Sequence, residues 1–237
     1  MGNSCFKDMA HESLKIGKIA APSMLTNSLE MLMWVTDVIM LGHLGKGHLA
    51  AACIGTSYFN ISWFFIEGVL TAQDTLSAQA FGMNDLHNVR CWLYVSSAVS
   101  CLLCILGTIL LGLGYFVIPY VFQVDPHIAF KAAQHVLLII PNLWFLAGFR
   151  VLQKYFLAQN IVMPAVYCSI TGNLVNYFLN YFLMFYTGIG FAGVGLSTSI
   201  ARACMFVQLA YHVVRSDDYI RSVKYINSNL IKCIWLE

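Results

Sequence analysis

Between residues 20 and 214 the chain is a succession of six apolar runs, each longer than 18 residues and separated by short polar or glycine-containing breaks. About 20 consecutive apolar residues are what a helix needs to cross a hydrocarbon layer roughly 30 Å thick. The candidate spans are 20–41, 49–72, 92–118, 132–150, 161–186 and 192–214, and the punctuation agrees: "GHLGKGH", "FGMNDLHNVR", "VDPHIAFK", "FRVLQKYFLAQN" and "TGIG" divide them. The runs do not alternate in polarity, so helices are expected rather than barrel strands. Hydrophobic residues make up 59% of the chain and charged ones 10%, against about 25% charged in soluble domains. Lipid must therefore supply most of the solvent. The expected fold is an all-α membrane protein with six transmembrane helices over residues 19–215, a tail at 1–18 and another at 216–237.

The first apolar run follows a polar segment and is too long for the h-region of a signal peptide. "MGNSCFK" begins like a myristoylation site but has Phe6 where Ser or Thr is wanted, which leaves Cys5 as a palmitoylation candidate beside a plain cytosolic tail. Cys101 and Cys104 form a CxxC inside a continuous apolar run, where packing is the expected role. A net charge of +2 implies no polyanionic partner, so no nucleic acid. "GIGFAG" at 188–193 fits GxGxxG, but it follows a run too long for a strand, and no acid appears before Asp217. A turn between helices is the reading its context supports.

Orientation follows from Lys and Arg. With the N-terminus inside, inner segments hold Lys7, Lys15, Lys18, Arg90, Arg150, Lys154, Arg215, Arg221, Lys224 and Lys232, whereas outer loops hold Lys46 and Lys131. That imbalance puts both termini in the cytosol. Arg202 is then the mid-span cation. Pro22 and Pro141 are expected to kink the first and fourth helices. The segment from Asp217 onward is either a short interfacial helix or a frayed end.

Ionisable groups within a bilayer cost about 2.5–3.5 kcal/mol each on insertion scales and usually face a cavity or a partner. Here they fall in phase. Thr26, Glu30 and Asp37 share one face of the first helix; Asn60, Glu67 and Asp74 share one face of the second; Ser169, Asn173, Asn176 and Asn180 share one face of the fifth. Stripes of this kind must meet each other or water. A carboxylate in a half-wet cavity can exchange a proton or take a sodium ion, and Asn carbonyls suit a hard cation. Structural readings stand beside this: Asp37 paired with Arg202, the Asn stripe as interhelical glue, Glu67 as a structural or interfacial acid, and Asp74 as a cap or loop anchor.

"AP…TN…VTDVIMLGHLG…LAAACIGTSYFN…EGVLTAQDTLSAQAFG" resembles the opening of a multidrug and toxic compound extrusion (MATE) transporter. "FLAQNIVMPAVYCSITGNLVNYFLNYFL…GIGFAGVGLSTSI" resembles helices 4 to 6 of the same family. The resemblance runs from about Lys15 to Arg215, and "DTLSAQAFG" looks more like the eukaryotic branch. It implies one six-helix lobe of a two-lobed antiporter that exchanges protons or sodium for organic cations and other amphiphiles, with no cofactor beyond the coupling ion and no enzymatic activity.

By the same resemblance Asp37 is the ion-coupling acid, with Asn176, Asn180 and Thr198 in its pocket. A sodium ion would be held at Asp37, Asn176 and Asn180. Where some prokaryotic members carry a second aspartate, this chain has Asn180. Glu30, Asn173 and Glu67 are weaker, local candidates. The implied partners are membrane lipid, small cationic or amphiphilic substrates, and a second lobe or a second copy. Two alternatives are a non-transporting lobe that associates with a full-length transporter and a lipid-linked oligosaccharide flippase, whose cavity should be strongly basic. The plasma membrane is the expected location, with vacuolar and endosomal membranes as alternatives.

Overall fold

The computed structural model describes residues 2–187 and 189–215, and the tail that begins at 216 lies outside them, as does the side chain of Cys5. The described residues form eight helices: α1 (Gly2–His43), α2 (Lys46–Gly82), α3 (Leu86–Gly112), α4 (Gly114–Phe122), α5 (Pro126–Leu138), α6 (Ile140–Ala158), α7 (Met163–Phe185) and α8 (Phe191–Arg215).

The breaks are built from residues that stop or start helices. Gly45 precedes α2 with φ of 109°, a backbone state that side chains resist. Asn84 at φ 59° ends the α2 region, and the Asp85 carboxylate then caps α3 by accepting from the Asn88 N–H at 3.1 Å. Asp125 caps α5 in the same way, accepting from the His127 N–H at 3.0 Å, with Pro126 in the first turn.

Four helical segments are long and apolar enough to cross a membrane: Ala20–His43, Lys46–Gly82, Leu86–Gly112 and Phe191–Arg215. A fifth span arises if α5 and α6, which meet at a 43° bend, are taken as one. The chain is thus an all-α, multi-pass integral membrane protein. The remaining expected span, 161–186, corresponds to α7, which is 23 residues long. Asn173, Asn176 and Asn180, together with three tyrosines, dilute its apolar character.

The bend falls at Ile139, two residues before Pro141. Pro141 lacks an N–H and crowds the preceding turn, which accounts for the broken span expected there. Other boundaries depart from the hydropathy reading. The run 92–118 is divided after Gly112, and α4 takes up its end. α2 runs on to Gly82 and α6 to Ala158, so most of "FGMNDLHNVR" and "FRVLQKYFLAQN" is helical rather than loop. Hydropathy locates apolar runs, whereas helix ends are set by caps and by positive-φ residues, which lie beyond the apolar part.

Buried Ile66, Leu143, Phe149, Met205 and Leu209 form the centre of the core. The core joins α2, α6 and α8; α7 closes against α8 and α1. Phe116, Phe178 and Phe182 are exposed on the outside, as residues facing lipid should be. The α7–α8 approach depends on Gly172, since a Cβ there would run into the Met205 side chain. That closeness brings the asparagines of α7 within reach of α1 and α8.

Candidate functional site

Three helices converge on Asp37. Its Oδ1 accepts from the Asn180 amide at 2.6 Å and from the Asn176 amide at 3.1 Å, both on α7. Its Oδ2 accepts from the Thr198 hydroxyl of α8 at 2.7 Å. An ionised carboxylate can only accept, and here every described neighbour donates. Asn176 and Asn180 are themselves completely buried, while Asp37 is half-buried.

The donors are oriented by a second ring of contacts. Asn180 Nδ2 also donates to Asn176 Oδ1 at 3.2 Å, and Ser197 donates a short hydrogen bond to Asn180 Oδ1. Both asparagines therefore turn their N–H groups toward Asp37, while their carbonyls are occupied elsewhere. Thr198 has a second acceptor, the Val194 carbonyl at 2.9 Å, so its single hydroxyl hydrogen has two possible destinations.

Asp37 opens onto a cavity of about 480 Å³ between α1, α2, α5, α6 and α8, with Trp34, Phe59, Trp63 and Phe64 among its apolar lining. That volume lies in the range of small-molecule sites, roughly 300–1,000 Å³.

The remaining candidates form a separate, charged cluster. Glu30 Oε2 pairs with Arg150 at 2.9 Å and with Arg202 at 3.5 Å. Glu67 pairs with Lys154 at 3.3 Å and lies 3.9 Å from Arg150. Asp74, expected as a cap or loop anchor, pairs with Lys154 across to α6 at 2.6 Å. The ion pair described for Arg202 is thus with Glu30, not Asp37. Asn173 also stands apart from Asp37: it donates to the Leu29 carbonyl of α1 at 2.9 Å and to the Ser169 carbonyl at 2.8 Å. This is interhelical glue of the sort the stripe allowed.

Arg150 was counted as an inner-segment charge at the very end of the fourth expected span, but it lines the cavity together with Arg202. The signal was the i, i+4 spacing of Arg150 and Lys154, legible only if the helix is carried past residue 150. His135 and Asn142 also line the cavity without having been singled out by the sequence. Among the described residues, no group of three or more His, Cys, Asp or Glu is placed to hold a metal ion.

The MatE family profile matches residues 22–182. Protein DETOXIFICATION 3 of Arabidopsis thaliana is 28% identical over 232 residues, covering 94% of this chain and 47% of that protein. Multidrug and toxin extrusion protein 2 of Oryctolagus cuniculus is 31% identical over 200 residues, covering 83% of this chain and 33% of that protein. Among solved structures, the eukaryotic MATE transporter AtDTX14 superposes with a TM-score of 0.85 at 24% identity, over 90% of this chain and 48% of that one. The chain therefore spans less than half the length of these relatives. With the profile matched over most of its length and the fold matched as well, the chain belongs to the MatE family.

Proposed function

We propose that the chain forms the N-terminal six-helix lobe, closer to the eukaryotic branch, of a cation-coupled exporter of amphiphilic organic compounds, with Asp37 as the group that takes up and releases the coupling ion. The observation that carries this reading is a cavity-lining carboxylate bonded by donors from two other helices. Its bonding state ties α1 to α7 and α8.

The geometry favours a proton over sodium. If a proton arrives on Asp37 Oδ2, the Thr198 hydroxyl turns to the Val194 carbonyl and accepts from the new O–H. No buried polar group is orphaned. Both asparagine bonds to Oδ1 persist but lose their charge assistance, which weakens the hold of α7 on α1. A sodium ion at Asp37, Asn176 and Asn180 would need carbonyl oxygens where N–H groups now point. Both amides would have to rotate, breaking the bonds from Asn180 and Ser197.

Rocking of one lobe against another is the general way repeat-built transporters alternate access. A chain that covers 33–48% of these relatives supplies one wall of such a passage. A second copy or another lobe would supply the other, and crosslinking in native membranes would identify which. With the Lys and Arg imbalance, the proposed orientation puts both termini in the cytosol, with the plasma membrane as the proposed location.

The test is Asp37→Asn in vesicles bearing an imposed proton gradient. Gradient-driven efflux is expected to be abolished while the membrane level of the protein is unchanged. Efflux at the wild-type rate would overturn the assignment.

A further inference from the structure

We propose that the Arg202 end of the cavity is an anion subsite, which takes a carboxylate or sulfonate carried by an aromatic or amphiphilic molecule. This rests on the reading of the cavity as the substrate site and names the chemistry it selects.

The charged cluster is a chain of pairs that ends unevenly. Asp74, Lys154, Glu67, Arg150 and Glu30 follow one another at 2.6, 3.3, 3.9 and 2.9 Å, and Arg202 comes last. Its carboxylate partner is Glu30 Oε2, the oxygen already held more closely by Arg150, at a distance of 3.5 Å. Its other described contact is a long one from Nη1 to the Met205 sulfur at 4.0 Å. A guanidinium has five N–H donors in a fixed fork. Arg202 Nε is buried without a hydrogen-bond partner, and so is Arg150 Nε.

Holding a charge out of water with so few acceptors is costly unless something completes its bonding. The side chain of Arg202 is only 10% exposed, and what remains accessible opens on the cavity beside Arg150. Arg150 is already engaged, its Nη1 donating to Asn27 at 3.3 Å and Gln153 at 2.9 Å and its Nη2 to Glu30 at 2.9 Å. Arg202 is therefore the guanidinium left to receive an oxyanion, which an arginine fork binds in charge-assisted hydrogen bonds.

The rest of the cavity supports an anion with an apolar body. Trp34, Phe59, Trp63 and Phe64 offer flat apolar surface. An organic cation finds less. The Asp37 oxygens are taken by three donors. Glu30 also lines the cavity, but its Oε2 is shared by Arg150 and Arg202.

The experiment is equilibrium binding by calorimetry on the full chain purified in detergent, with three probes of matched shape: naphthalene sulfonate, naphthalene methanol and naphthylmethyl trimethylammonium. The sulfonate is expected to bind about tenfold or more tightly than the alcohol, as charge-assisted bonding predicts. Arg202→Gln is expected to erase that preference, lowering the sulfonate's affinity by about tenfold or more and the alcohol's by less. Wild-type protein that binds the alcohol or the ammonium as tightly as the sulfonate would overturn the proposal. So would an Arg202→Gln effect equal on all three probes. Should that variant fail to fold, the wild-type preference and its decline with salt decide the matter alone. No gradient is involved, so failure of ion coupling at Asp37 and failure of the anion subsite are read separately.

Discussion

The Thr198 hydroxyl lies 2.7 Å from Asp37 Oδ2 and 2.9 Å from the Val194 carbonyl, and its one hydrogen can serve only one of them at a time. This pairing makes Thr198 the group that can answer a change of protonation at Asp37 without moving a helix. Thr198→Ser keeps the hydroxyl and should retain most gradient-driven efflux. Thr198→Val keeps the shape, removes the hydroxyl and should lower the rate by about tenfold, the effect of a 1.4 kcal/mol interaction. Equal rates in the two variants would remove Thr198 from the coupling mechanism.

Asn180 is expected to matter more than Asn176. Its amide is the nearer donor to Asp37, at 2.6 Å against 3.1 Å, and its carbonyl is fixed by Ser197. Asn180→Ala removes a charge-assisted bond, worth about 1.5–3 kcal/mol, and leaves Ser197 without one acceptor. Efflux should fall further in Asn180→Ala than in Asn176→Ala, with membrane insertion of both preserved. The reverse order would show that distance to Asp37 does not rank these two residues.

Glu30 and Asp74 belong to one network but should differ sharply in what their loss costs. Glu30 is 8% exposed and is the carboxylate partner described for Arg202. Removing one partner of a buried pair typically costs about 3–5 kcal/mol, so Glu30→Ala should lower the thermal midpoint substantially. The Asp74 side chain is 41% exposed, and Lys154 retains Glu67 when Asp74 is lost. Asp74→Asn should therefore cost about 1 kcal/mol or less. Thermal unfolding of both variants in detergent checks the ranking.

Much of this arrangement was legible in the sequence because helical phase survives without knowledge of packing. Asp37, Asn176 and Asn180 lay on stripes that lipid could not satisfy, and the structure joins them. The resemblance brought in Thr198, which periodicity alone did not mark. What the residues could not reveal was which stripe partners meet. Asn173 is one turn from Asn176, yet it faces the backbone of α1. Arg150 and Lys154 looked like topogenic charges because the apolar run stops at residue 150, while α6 does not. The break of the fourth span at Pro141 was expected. The extra helix α4 was not: Gly112 and Gly114 flank its boundary at Leu113, but they lie inside an unbroken apolar run, and hydropathy carries one span across them.

The position of α7 rests on a contact with no polar atoms. Gly172 faces Met205 of α8 so closely that a Cβ would collide with the thioether, and Gly172 lies one turn from Asn176. Gly172→Ala should destabilise the protein by about 1–3 kcal/mol through overpacking. It should also weaken coupling by moving Asn176 and Asn180 away from Asp37. Met205→Ala alone leaves a cavity and is costly in its own right. Made together, the two changes should cost less than their sum, because the space vacated by Met205 receives the new methyl group. Thermal midpoints and efflux rates of the two single variants and the double variant complete the cycle. Strict additivity in both would mean that the Gly172–Met205 contact does not set where α7 sits.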